Sequence, residues 1–268
     1  MISRLEILLD ENAELNYQSG PLLHGALMEL LPEEVAEELH RPQVHPYSQY
    51  LEKKEGRWRW IVTALTDELS RELISETLLL KESVELKKTE QVIYFDEKRL
   101  TQIPMKTFAE RMYRGEAGKY IQIEFLTPVS FKQEGKYLFY PDIRGMYISL
   151  LNKYAAAEPS QNMRDEDFLE ELVCRTQIVR YRLHSISFQV GNARIPAFMG
   201  NMTLRIDGTQ TLRNFADFLF HFGEYSGIGI KGALGMGANR IVDEKRTGVQ
   251  EKWKSADAGD RKSMQNEK

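Results

Sequence analysis

The spacing of apolar residues changes within the first forty positions from a short run to helical intervals. The run RLEILL at 4–9 predicts a first strand, and the leucines at 23, 27, 30 and 31 lie at intervals typical of a helix. Pro32 stands where a second helix would begin, because its fixed backbone angle suits a first helical turn. We therefore predict a strand and two helices, the second ending at about His40, before Pro42.

The remainder of the first half predicts two more strands around a helix. Residues 56–65, GRWRWIVTAL, place two tryptophans on one face and two arginines on the other, which is typical of a strand. Residues 66–80 have helical spacing with Asp67 as a candidate cap, and residues 91–97 predict a strand before a basic, irregular stretch. This order is compatible with a ferredoxin-like α+β unit.

The second half repeats the same order of elements. We predict strands at 119–131, 175–190, 194–206 and ANRIV near 240, and helices at 141–158, 166–174 and 211–225. The predicted fold class is therefore α+β, with two tandem ferredoxin-like (RRM-like) domains at 1–118 and 119–245. Residues 246–268 are polar and aperiodic, which predicts a disordered tail.

Length and composition narrow the class of protein. The chain has 268 residues, 42% of them hydrophobic and 28% charged, which is typical of a globular protein with room for two cores. The net charge of −4 does not indicate a nucleic-acid binder, although a local basic groove is compatible with it. A single cysteine, Cys174, excludes an internal disulfide and a cysteine-rich zinc site. Without a signal peptide or a long apolar run, we expect a cytoplasmic protein that does not enter a membrane.

The most distinctive segment is the glycine run GEYSGIGIKGALGMGA at 223–238. Its core, GIGIKG, reads as the dinucleotide-binding pattern G-x-G-x-x-G, but it follows a helix, precedes a strand and leaves too little chain for a crossover. A flexible connector and a phosphate-binding loop are the remaining interpretations, and closely spaced glycines beside a lysine favour phosphate. The candidate RNA-binding residues of this run are Gly227, Gly229, Lys231, Gly232, Gly235 and Gly237.

Four stretches, in this order and spacing, resemble the CRISPR-associated repeat-processing endoribonucleases of the RAMP superfamily, the Cas six family. They are LLHGALMELLPEEVAEELHRPQVHPYS, FLTPVSFKQEGKYLFYPDIRGMYISLLNKY, IPAFMGNMTLRI and GEYSGIGIKGALGMGANRI. The resemblance implies metal-independent cleavage of CRISPR repeat RNA, with precursor crRNA as the partner and no cofactor. Whether other Cas proteins of an effector complex or a second copy of the chain take part stays open.

The implied reaction needs proton transfer, which suits histidine with its pKa of about 6.5. The RNA 2′-hydroxyl attacks its own 3′-phosphate, leaving a 2′,3′-cyclic phosphate and a 5′-hydroxyl. The resemblance assigns the general acid/base to His40, whose alternative role is to cap a helix. His45 is a second proton carrier, a phosphate contact or an ordinary loop histidine, and His24 is a further candidate whose residue type also fits helix packing. His184 and His221 are interpreted as structural.

The chain departs from the family pattern at two catalytic positions. Some members carry a tyrosine on the first helix, where this chain has Met28. A lysine that assists catalysis in some members is replaced by His45 or lost in a gap. The exact set of catalytic residues is therefore open.

Arginines on two predicted strands are the further candidates for RNA contact. They are Arg57, Arg59, Arg180 and Arg182, each of which has a solvated surface charge as its alternative interpretation. One rival function is a catalytically silent RAMP subunit that only holds guide RNA. Another is a metal-dependent nuclease, but the acidic group RDED at 164–167 reads as a helix start.

Overall fold

The computed structural model describes residues 1–41, 44–160 and 165–242, except for the side chain of His40. The predicted tail at 246–268 lies outside the described residues. The helices are α1 (Gly20–Leu30), α2 (Glu33–His40), α3 (Asp67–Leu69, continuing as a π-helix over Ser70–Leu78), α4 (Met105–Arg114), α5 (Ile143–Ala157), α6 (Glu166–Arg175) and α7 (Gln210–Ser226). The strands are β1 (Ile2–Leu9), β2 (Tyr47–Lys54), β3 (Arg57–Ala64), β4 (Ser83–Leu86), β5 (Gln91–Ile103), β6 (Tyr120–Val129), β7 (Phe131–Gln133), β8 (Lys136–Leu138), β9 (Thr176–Val190), β10 (Ala193–Ile206) and β11 (Asn239–Ile241).

The first half forms an antiparallel sheet in the order β2-β3-β1-β5-β4. Without the edge strand β4, this is the order of a βαββαβ ferredoxin-like unit. One face carries Leu5, Ile7, Trp60 and Val62, which pack with α1 and the α3 region into a core. The strand predicted at 56–65 is therefore confirmed, with Trp60 fully buried on one face and the arginines on the other.

The second half repeats this order in the sheet β11-β6-β10-β9, with the small hairpin β7-β8 inserted after its first strand. Ile121, Ile123 and Phe125 of β6 face α5 and α7 in a second core. The two sheets confirm the predicted fold of two ferredoxin-like units. The opposite, open face of this second sheet carries Gln122 and Glu124.

Several elements differ from the sequence-based expectation. Strands β2 and β4 were not predicted, and the stretch predicted as irregular contains the end of β5 and all of α4. The cap of α3 is Thr66, whose hydroxyl accepts from the amide of Leu69, and not Asp67, which is the first helical residue. Asp165 caps α6, as the reading of RDED predicted.

Helix α4 links the two sheets but packs on the second one. Phe108 contacts the rings of Phe218, Phe222 and Tyr225 on α7. The domain boundary between 118 and 119 stays a prediction, and α4 on its N-terminal side shares the core of the C-terminal half.

The open face of the first sheet meets the second unit through a small contact. Tyr50 and Ile61 pack against Ala238, with Leu126 beside them. At the edge of this contact, Arg240 of β11 pairs with Glu52 of β2. No helix in the described part of the chain is long and apolar enough to cross a membrane.

Candidate active site and RNA interface

The glycine run after α7 folds into a compact loop, the glycine-rich loop at 227–238, which occupies most of its own amides. The N–H groups of Gly227, Gly229, Gly235 and Gly237 donate to Gly223 O, Ser149 Oγ, Gly232 O and Pro128 O, respectively. Gly237 has φ +80°, and a Cβ there would lie 2.2 Å from the carbonyl oxygen of Ile228. These glycines therefore allow close backbone packing within the loop.

Three consecutive amides of the loop donate to no other described residue. They belong to Lys231, Gly232 and Ala233, at the start of a single 3-10 turn. Lys231 is left-handed (φ 59°, ψ 32°) and precedes the helical turn, an arrangement in which successive N–H groups form an anion-binding concavity. Among the residues of the glycine run, those at 231–233 are therefore the ones whose backbone amides are available to bind a phosphate.

A lysine from α5 reaches the inner side of this loop. The ammonium of Lys153 donates to Gly227 O at 2.9 Å, and only 9% of the residue is exposed. Nζ lies 3.6 Å from the position that a Cβ would take at Gly232. Ser226 Oγ donates to the same carbonyl of Gly227, so the beginning of the loop is held from two sides.

The glycine-rich loop is tied to the first unit by the side chain of Gln49 on β2. Its Nε2 donates to Gly20 O at 3.0 Å and to Ala233 O at 2.8 Å. Its Oε1 accepts from Trp60 Nε1. Helix α1 therefore begins directly against the loop, where the Cα of Gly20 lies beside Gly235.

His24 lies one helical turn after this contact and is oriented by Tyr47. The hydroxyl of Tyr47 lies 2.7 Å from His24 Nδ1, and the two rings are stacked. Burial raises the pKa of the Tyr47 phenol well above its usual range, so the phenol stays protonated. A hydroxyl donates to a neutral imidazole and accepts from a protonated one, so Tyr47 holds His24 in both states.

The structure also places His45 close to His24 and Tyr47, and these three side chains form the histidine cluster. His45 Nε2 donates to Arg41 O at 2.8 Å, and the ring lies 6.5 Å from that of Tyr47. His45 Nδ1 is enclosed and has no hydrogen-bond partner among the described residues. His40 ends α2, and its side chain lies outside the described part of the structure.

The two remaining histidines lie elsewhere. His221 is buried on α7 between Asp217 and Glu224. Burial alone would lower the pKa of His221, but hydrogen bonds to both carboxylates outweigh it and raise the pKa. His184 is exposed on β9.

Arg180 and Arg182 of β9 lie on the open face of the second sheet. In the strand register, Arg182 lies opposite Asn201, and Asn201 lies opposite Glu124 on its other side. Arg180 lies opposite Thr203. Both arginines line an open groove of about 400 Å³ and form no ion pair with a described residue.

Arg57 and Arg59 on β3 are engaged within the protein. Arg57 donates to Leu9 O and pairs with Asp96, which leaves 28% of its side chain exposed. Arg59 lies 3.9 Å from a carboxylate oxygen of Glu6. Their contact with RNA stays a prediction, and it would compete with these partners.

Sequence reasoning missed Tyr47, Gln49 and Lys153. The only available signal was position: the first two follow His45 within HPYSQ, and Lys153 interrupts an otherwise apolar helix face. None of the three types indicates a role without its neighbours in space. Within the described residues, no group of three or more His, Cys, Asp or Glu side chains is placed to hold a metal ion.

Known proteins similar to this chain agree on one family. The family model for CRISPR-associated endoribonuclease Cas6 matches residues 123–239. A protein of that name from Mycobacterium tuberculosis (strain CDC 1551 / Oshkosh) is 34% identical over 246 residues, which cover 90% of this chain and 78% of the relative. Its counterpart from Streptococcus thermophilus is 33% identical over 222 residues, or 83% of this chain and 90% of the relative. A solved Cas6 product complex superposes with a TM-score of 0.76 at 22% identity, covering 91% of this chain and all of the other.

We predict that Gln49→Met loosens the glycine-rich loop. The substitution keeps the side-chain length but leaves Trp60 Nε1 without its acceptor and removes one hydrogen bond from each of two carbonyl oxygens, at a cost of roughly 2–4 kcal/mol in the free energy of unfolding. Denaturant unfolding measures that cost, and hydrogen exchange of residues 227–238 measures the loosening. Gln189→Met, on the exposed end of β9, is the matched control. Unchanged exchange in the loop of Gln49→Met would contradict the prediction.

Proposed function

Because the chain belongs to the family of CRISPR-associated endoribonuclease Cas6, we propose that it cleaves CRISPR repeat RNA without a metal ion. The 2′-hydroxyl oxygen attacks the adjacent phosphorus, the bond from phosphorus to the 5′-oxygen breaks, and a cyclic 2′,3′-phosphate forms. A base takes the proton of the 2′-hydroxyl, and an acid gives one to the leaving 5′-oxygen. The protein therefore has to supply two proton transfers and hold the phosphate in line.

One observation carries this proposal: the side chains of His24, Tyr47 and His45 lie close to the contact between α1 and the glycine-rich loop, which carries the three unoccupied amides. Helix α1 starts against the glycine-rich loop, and His24 follows one turn later, about 5–6 Å along the axis. Tyr47, two residues before Gln49 on β2, fixes the imidazole of His24. A phosphate at 231–233 would thus lie at the same end of the molecule as the proton-transfer groups.

His40 is assigned as the principal general acid/base on the family resemblance. It ends α2, and a helix C-terminus favours a protonated imidazole. A protonated His40 suits donation to the leaving 5′-oxygen. His24, oriented by Tyr47, and His45 are proposed to assist proton transfer or to contact the phosphate.

The RNA strand is proposed to continue from the glycine-rich loop onto open basic surface. Arg180 and Arg182 suit this role because no described carboxylate pairs with them. Arg57 and Arg59 are secondary candidates, since they lie on the open face of the first sheet and already have acidic partners. The proposed partner is precursor crRNA; association with other Cas proteins or with a second copy is part of the same proposal.

Cleavage of repeat RNA is expected to persist in EDTA and to give a 2′,3′-cyclic phosphate and a 5′-hydroxyl. His40→Ala should slow single-turnover cleavage by roughly 10²–10⁴-fold, the usual contribution of a positioned acid/base. The measurement is gel or mass analysis of product ends with purified protein. A 2′-deoxy substitution at the scissile nucleotide is the control, because it removes the nucleophile. Binding without any cleavage would instead support a silent RNA-holding subunit.

Tyr47→Phe is expected to lower the single-turnover rate by roughly tenfold, which corresponds to the loss of one hydrogen bond to His24. The ring of Tyr47 still fills its buried position, so the variant should fold. Tyr50→Phe, on the opposite face of β2, is the matched control. A rate and a pH profile equal to those of the unmodified protein would rule out a role for Tyr47.

Replacing Arg180 and Arg182 together by glutamine should weaken RNA binding and reduce its salt dependence. Each lost phosphate contact lowers the slope of log affinity against log salt by about 0.7–0.9. Fluorescence anisotropy at several salt concentrations gives this slope. Arg57→Gln is expected to change stability more than the salt slope, because it breaks the contacts with Asp96 and Leu9 O. An unchanged slope for the double variant would show that these arginines do not contact RNA phosphates.

A further inference from the structure

Lys153 is a buried cation to which the proposed reaction assigns no task. It projects from α5 to the start of the glycine-rich loop, where Gly227 O is its hydrogen-bond acceptor at 2.9 Å. An ammonium has three donors, so this single acceptor leaves most of its capacity unused. The amides at 231–233 belong to the same part of the loop, since a Cβ on Gly232 would lie 3.6 Å from Lys153 Nζ.

The charged groups on the surrounding elements do not neutralise Lys153. On α7, Glu224 bonds His221 and the amide of Ile241. On β2, Glu52 pairs with Arg240, and on the loop itself Lys231 has the same sign as Lys153. Within the described residues no carboxylate forms an ion pair with Lys153.

Because no described carboxylate pairs with Lys153, the protonation of its ammonium is sensitive to pH and to nearby charge. Burial lowers the pKa of Lys153 to about 7, so near neutral pH the group is divided between its charged and neutral forms. The nearby carbonyl groups at the C-terminal end of α7 favour the cation. An anion bound at the adjacent amides would favour it further.

We propose that Lys153 is a positioning residue that couples RNA binding to proton uptake, its ammonium supporting the glycine-rich loop beside Gly227 and Gly232 while phosphate binds the amides at 231–233. This rests on the proposed function, since it requires the loop to bind RNA. The protonated protein binds RNA more tightly, and bound RNA in turn holds the proton on Lys153, because the two equilibria are linked. RNA affinity therefore decreases as the pH rises through neutrality.

The expected coupling is about tenfold. A unit charge roughly 8 Å from a phosphate changes affinity by more than tenfold at an effective dielectric constant near 20, and partial exposure of the phosphate reduces this. A purely mechanical role for Lys153 would give a different result. Loss of the bond to Gly227 O would then weaken binding by the same factor at every pH.

The first experiment measures the dissociation constant of a repeat RNA with a 2′-deoxy scissile nucleotide between pH 6 and 8.5. Three proteins are compared: the unmodified chain, Lys153→Met, and Lys88→Met, which removes one exposed lysine from the turn after β4. The affinity advantage of the unmodified chain over Lys153→Met should shrink by about tenfold across this range, while Lys88→Met should follow the unmodified chain. An advantage that is constant with pH would overturn the proposal.

The second experiment uses no substituted protein, so its result does not depend on whether a variant folds. In unmodified protein with ¹³C-labelled lysine, the ¹³Cε signal that titrates near neutral pH reports Lys153. Its pKa should rise by about one when RNA binds, the equivalent of tenfold coupling. Bound RNA without a change in this titration would overturn the inference about Lys153 and leave the proposed function standing. Absence of RNA binding by the unmodified protein would instead count against the proposed function.

Discussion

The glycine-rich loop is fixed to the first unit through one buried side-chain amide. Gln49 is 1% exposed, and its polar atoms meet three elements: Trp60 Nε1 on β3, Gly20 O at the start of α1, and Ala233 O in the glycine-rich loop. A buried amide is stable only when its donors and acceptors are paired. The three partners therefore specify one position for the start of β2, and with it the positions of Tyr47 and the α1 histidine.

The same principle governs the end of α7. The last carbonyl oxygens of a helix have no partner within it, and here side chains from other elements supply one. Arg4 donates to Glu224 O and Ser48 to Tyr225 O, both from the first unit, while Lys153 donates to Gly227 O. The cations Arg4 and Lys153 also complement the negative end of the helix dipole. The junction between the units is thus largely polar and directional, whereas each unit has its own apolar core.

Sequence periodicity predicted the elements whose burial has a single cause, and it failed where burial has two. The strand at 56–65 was predicted because one face lies in a core and the other does not. Strand β2 was missed because both of its faces are buried. Tyr47, Gln49 and Leu51 face the first core, while on the opposite face Ser48 bonds Tyr225 O and Tyr50 packs against Ala238. Polar residues that are buried by specific pairing leave no alternation to read. The glycine-rich loop was located correctly between a helix and the last strand. Which of its amides remain unoccupied, however, depends in part on Ser149 and Pro128, which are distant in sequence.

The hydrogen bonds that occupy most amides of the glycine-rich loop affect how the loop would bind RNA under the proposed function. If all its amides faced outward, the loop would have to be ordered by the ligand, and binding would bear that entropic cost. Instead, four glycine amides are satisfied internally, and they fix the backbone around the three at 231–233 before any ligand arrives. Gln49 then fixes Ala233 relative to α1. Because the RNA supplies its own nucleophile in the proposed reaction, the accuracy of this placement relative to the histidines would be the main contribution left to the protein. In the proposed interface the loop would bind phosphate through backbone dipoles, while the charge would come from Lys153, a buried residue beside the loop. Lys153 would then control affinity more effectively than an exposed lysine on the loop surface.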